Sequence, residues 1–199
     1  MADTEKRITA KMILDSTSFN SSLQGVNASL KLAQSELKNS SAQVGVFGKS
    51  SENLKGVQQA LAAQVELHTK KVDIYKQSLE ATTVKMNANV AERDKLKASL
   101  EKANTAYAQA VTLHGKESAE AKQAGQAVTA LTTDLTRSEQ AVSTNARSIN
   151  TYTTSFNNAE TGLVRAQGAL RTANTELATA ENKWVGLGKS ISKTADSVK

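Results

Sequence analysis

Apolar residues recur along this chain at helical spacing, with one short exception near its start. Ile8, Ala10, Met12 and Leu14 alternate with Thr9, Lys11 and Ile13 at a period close to two, which predicts a short strand over 7–14. Asp15, Ser16, Thr17 and Ser18 then offer side-chain oxygens that can cap a helix. Phe19, Leu23, Val26, Leu30, Ala33 and Leu37 follow at 4-3-4-3-4 spacing, the apolar stripe of an amphipathic helix. Strand and helix make up a first segment over 1–38. The next stretch, 39–53, is rich in serine and glycine and reads as a loop. Phe47, between Gly45 and Gly48, reads first as an anchor tucking that loop down and second as a docking residue. Ser50 or Ser51 can cap the helix that follows.

From Leu54 onward a seven-residue repeat takes over. Steps of seven from Val65 reach Val72, Leu79, Met86, Arg93, Leu100, Tyr107, His114 and Ala121. They continue through Val128, Leu135, Val142, Ile149, Phe156, Leu163, Leu170, Leu177, Trp184, Ile191 and Val198. Eighteen of these twenty positions are apolar, against about eight at random from a 39% apolar composition. A sustained heptad column of this kind marks a left-handed coiled coil. We therefore take the eleven positions from Val128 to Val198 as a candidate oligomer seam. Phe156 and Trp184 are bulky for a two-stranded core and lean the reading towards three or more helices.

The companion column, three residues on, is small and weak. It includes Asn89, Leu131, Ser138, Asn145 and Tyr152, then Ala159, Ala166, Ala173 and Ala180. Small residues let two helix backbones approach closely. Asn89, Ser138 and Asn145 either set the register or loosen the packing.

The repeat is interrupted once, at Leu113-His114-Gly115-Lys116-Glu117-Ser118. A glycine suited to end a helix is followed by a serine suited to start one. This predicts a break or kink at 114–118 between coiled-coil arms at 54–113 and 119–199. The arms could form a helical hairpin. However, the heptad phase survives the interruption, as it would in one continuous rod. Such a rod over 65–198 would span about 200 Å at ~1.5 Å per residue. The pattern still runs at Val198, so we expect a longer parent chain.

Composition supports the helical reading. The 199 residues include no proline, no cysteine and seven aromatics (one Trp, three Tyr and three Phe). Without cysteine there is no disulfide, cysteine-held metal or thiol nucleophile. The fold class expected is all-α, long amphipathic helices in a coiled coil or helical hairpin, with the short N-terminal strand added.

The net charge of +6 is spread evenly, +2 in each of 1–64, 65–113 and 114–199, with acids interleaved. A nucleic-acid binder concentrates its lysines and arginines on one face or tail. We read a solvated helix surface and expect no specific nucleic acid. No apolar run nears the ~20 residues of a membrane span, and the first residues lack a signal-peptide core. His68 and His114 lie far apart in sequence without clustered acids, so no metal site is expected. No phosphate-binding, zinc-protease or serine-hydrolase motif occurs. We expect no catalytic residues and no cofactor.

Four segments together resemble the N-terminal region of the tail tape measure proteins of long-tailed bacteriophages and phage-tail-like particles. ITAKMILDSTSFNSSLQGVNASLK resembles the family's short strand, cap and first helix. FGKSSENLKGVQQALAAQVELHTKKVDIYKQSLE is similar to its loop-to-coil segment. HGKESAEAKQ resembles a common interruption between helical arms, and GLGKSISKTADSVK the approach to the next segment.

The resemblance implies a ruler and scaffold in the lumen of the virion tail tube, assembled in the cytoplasm of a bacterial host. Tail tube protein, a tail assembly chaperone and tail tip or baseplate proteins are the implied partners, beside self-association through helices. Family members are usually much longer, and the apolar or wall-degrading segments many carry do not occur here. Two other readings stand beside it. One is a generic coiled-coil interaction or signalling module. The other is the stalk of a wall hydrolase with its catalytic part downstream.

Overall fold

The computed structural model describes the backbone of residues 2–196 and the side chains of residues 19–187. The chain is all-α. Among the described residues three helices follow in order: α1 (Ala2–Phe47), α2 (Ser51–His114) and α3 (Ala119–Asp196). No strand occurs among the described residues.

The strand expected over 7–14 is instead part of α1. A lone strand would leave its backbone N–H and C=O groups without a ladder partner, whereas a helix pairs them within the segment. Ile8 and Met12 also stand four apart, so the same residues fit a helical stripe. The expected caps at Asp15–Ser18 consequently lie inside α1. The loop expected over 39–53 shrinks to Gly48–Ser50, because α1 continues to Phe47 and α2 begins at Ser51. Serines and one glycine lower helix propensity by less than ~1 kcal/mol each, which packing overrides. Phe47 closes the helix 75% exposed, so it does not tuck the turn down as an anchor.

The two turns share one construction. Gly48 and Gly115 both take φ of +83°, the left-handed conformation that closes helices. The Gly48 N–H donates to the Val44 carbonyl at 3.0 Å, and the Gly115 N–H to the Val111 carbonyl at 3.0 Å. Ser50 Oγ then accepts from the Asn53 N–H at 3.2 Å, and Ser118 Oγ from the Ala121 N–H at 3.1 Å. Each serine satisfies a backbone donor that the first turn of a helix leaves open. The break expected at 114–118 is thus a full helix end and restart. The Asn53 side chain also donates to the Gly48 carbonyl at 3.0 Å, tying α2 to the first turn.

The chain divides into two compact units. The first combines Met1–Lys76 with Ser155–Lys199 and holds three helical stretches. Within it α1 and α2 run antiparallel. The Phe19 and Tyr75 rings meet edge-on at 6.0 Å, Gln64 Nε2 donates to the Ala33 carbonyl at 3.3 Å, and Val44 packs against the cluster of Leu54, Leu177 and Ala180. The α3 stretch runs antiparallel to α2. His68 sits over Gly162, Gln58 Nε2 donates to Asn174 Oδ1 at 2.9 Å, and Lys55 pairs with Glu181 at 3.6 Å. The core comprises Leu30, Ala33, Leu54, Ala60, Leu61, Tyr75, Ala159, Ala166, Ala173, Leu177 and Ala180.

The second unit, Gln77–Thr154, is a helical hairpin. Tyr107 lies over Gly125, Lys97 pairs with Glu139 at 3.8 Å, and Ser138 Oγ donates to the Asn89 carbonyl at 3.4 Å. These contacts step away from the turn in opposite directions along α2 and α3, as an antiparallel pair requires.

Candidate functional site

The surfaces that this fold builds are helix seams. The large column and its companion are treated differently by a single chain. Val128, Leu135, Val142, Ile149, Phe156, Leu163 and Leu170 are half-buried. Leu177 is buried at 8% exposure, and Trp184 stands out at 62%. The Ile191 side chain and Val198 lie outside the described residues. By contrast, Ala159, Ala166, Ala173 and Ala180 are all buried in the first unit. The small column is therefore the close-packed line of that unit, because a methyl side chain lets neighbouring backbones close over it. The large residues, Leu177 apart, lie to one side of that line and keep part of their surface in water.

The polar members of the companion column part ways. Ser138 and Asn89 come together through the backbone carbonyl of Asn89. Asn145 is buried at 6% exposure, and its Nδ2 has no hydrogen-bond partner. An unmet buried amide donor costs roughly 1–3 kcal/mol.

His68 occupies the companion column of α2, as its heptad position implies. The contact it makes was not legible from that position. A Cβ built on Gly162 would fall 2.6 Å from His68 Cε1 and 2.8 Å from Nδ1. The imidazole thus fills the space that a side chain at 162 would take. Its Nδ1 is buried without a hydrogen-bond partner. Burial, and secondarily the charge of Lys71, lower the His68 pKa below the ordinary histidine value. Gly162, inside an otherwise apolar-periodic helix, was the one available sequence signal for a close side-chain approach.

Exposed apolar side chains gather at two chain positions of the first unit. Val46 and Phe47 stand at the end of α1, and Trp184, Val185 and Leu187 lie on α3. In the second unit, Tyr107, Lys122, Gly125, Gln126, Val128, Thr129 and Ala130 line a shallow open groove. The outer face of α3 is rich in threonine. Thr129, Thr132, Thr136, Thr151, Thr154, Thr161 and Thr175 each donate their hydroxyl to the carbonyl four residues back. Their donors are thereby engaged with their own helix.

Charges lie mainly on the surface. Lys49–Glu176 at 2.8 Å and Lys55–Glu181 at 3.6 Å reach between elements but remain substantially exposed, a class of pair worth ~0–1 kcal/mol. A hydrogen bond from Lys70 holds the exposed Glu66 carboxyl below the usual range. Among the described residues no three His, Cys, Asp or Glu side chains are grouped to hold a metal ion. No described helix is long and apolar enough to cross a membrane.

No family model, curated protein or solved structure matches this chain.

Proposed function

We propose that this chain is a structural scaffold without catalysis of its own, the N-terminal region of a tail tape measure protein. One observation carries the reading. The heptad column keeps its phase across the Gly115 turn, through Tyr107, His114, Ala121 and Val128. An antiparallel hairpin does not require this, since its two arms are phased separately. A continuous helix does.

In this reading the hairpin is a stored form. It opens at Gly115 when α2 and α3 are drawn out as one rod within the tail tube. The half-buried column from Val128 to Leu170 then supplies the face on which copies associate. Partners are the tube protein, an assembly chaperone and the tail tip, and the place of action is the tube lumen.

The test is a deletion series in the parent gene. Removing two heptads from α3, residues 128–141, should shorten the assembled tail by about 21 Å at ~1.5 Å per helical residue. Tail lengths measured by electron microscopy read this directly. Particles of unchanged length, or a chain that never enters the particle, would overturn the proposal.

A generic helical interaction module is the second reading, and the folding of α2 against α3 within one chain favours it. Such a module needs no second copy to occupy its companion column. The deletion would then alter partner binding and leave no length to measure.

A further inference from the structure

We propose that His68 and Gly162 form an acid-sensitive latch, in which proton uptake at Nδ1 drives the ring out of its notch and loosens α2 from α3 in the first unit. The geometry carries this. The ring lies where a Cβ of residue 162 would otherwise be, so it is held by shape as well as by burial. Nδ1 is buried and has no hydrogen-bond partner. In the neutral ring this atom can be a bare lone pair, with the hydrogen on Nε2. In the charged ring it must carry an N–H, and that donor would face the Gly162 notch with no acceptor. A partly desolvated charge on the half-buried ring and an unmet donor would arise together, and both are relieved if the ring swings into water.

The surrounding charges do not offset this. On α2, Lys71 acts on the ring and is positive, while Glu66 is engaged by Lys70 and Asp73 is exposed. On α3, Glu160 and Arg165 flank Gly162 with opposite signs, both exposed. On α1, the stretch between the Phe19–Tyr75 and Ala33–Gln64 contacts contains one charged residue, the exposed Lys31. Among the described residues no carboxylate pairs with the His68 imidazole in the seam.

The sign follows from the lowered His68 pKa. Between the ordinary value of ~6.5 and the lower native one, the open form binds a proton that the closed form refuses. The latch is therefore closed above that window and weakens as pH falls through it, by up to tenfold per pH unit. Below the native value there is no further loss.

The experiment uses the full chain with His114→Gln, which leaves one histidine to follow by NMR. Amide exchange at residues 60–70 and 157–167 is measured in parallel at pH 5 and 7.5 and expressed as protection factors. We expect the imidazole to titrate below ~6.5. We also expect seam protection to fall at pH 5 by severalfold more than in His68→Leu. His68→Gln, of similar size and uncharged, serves as the second reference should leucine disturb the fold. A histidine that titrates at or above ~6.5, or the same loss of protection in the uncharged variants, would overturn the latch.

Discussion

Gly162→Ala should destabilise this protein although it puts the best helix former in place of the second worst. Alanine gains about 1 kcal/mol over glycine in a helix interior. Against this stands the His68 ring. The new methyl carbon would fall 2.6 Å from Cε1 and 2.8 Å from Nδ1, where ordinary contact begins at 3.4 Å. The ring must retreat by close to 1 Å within a packed seam, an overpacking that costs about 1–3 kcal/mol. The net expectation is a loss of about 1 kcal/mol. Gly168→Ala provides the control, since a Cβ there meets nothing within 4 Å on the same helix. It should stabilise by ~1 kcal/mol. Urea unfolding followed by circular dichroism reads both, with the slope checked for constancy. In a His68→Ala background Gly162→Ala should turn stabilising, a coupling of about 2 kcal/mol between the two sites. Equal stabilisation by the two alanines with His68 in place would refute the notch.

Three further substitutions probe the turn and the seams. Gly115→Ala places a Cβ on a backbone with φ of +83° and should lose about 1–2 kcal/mol, seen as a lower urea midpoint. Ala166→Leu inserts a large side chain into the close-packed alanine line and should lose about 1–3 kcal/mol, whereas Ala166→Ser should be far milder. Asn145→Leu removes the buried donor that lacks a partner, and its thermal midpoint should rise by an amount equivalent to about 1 kcal/mol.

Helix content and the break near Gly115 were open to a reader of the sequence, because both rest on local chemistry. A proline-free chain with sustained heptads has few alternatives, and glycine followed by a capping serine is written in adjacent residues. The segment over 7–14 misled because Ile8, Ala10, Met12 and Leu14 satisfy both periods at once, and only the absence of a pairing strand decides between them. The stretch before Gly48 misled for the opposite reason. Its serines are weak helix formers, but none forbids a helix. Which column is buried depends on distances between backbones, and periodicity holds no information on these. The alanines at 159–180 looked like the poorer half of a seam, yet they are the half that one chain closes completely. The His68–Gly162 contact joins residues on different helices, and neither residue alone announces the other.

The spacing of partners along the chain has a consequence in time. The first unit takes its third helical stretch from Ser155–Lys199, after the whole of the second unit has been made. Lys49 and Glu176, which meet at 2.8 Å, are separated by 127 positions. At a synthesis rate of roughly 5–20 residues per second, α1 and α2 leave the ribosome several seconds before Ala159–Ala180 can cover them. During that interval Leu54, which packs with Leu177 and Ala180, lacks its α3 cover and stands open to water or to any protein waiting nearby. Any protein that binds this face would find its widest target then, and would compete with α3 for it.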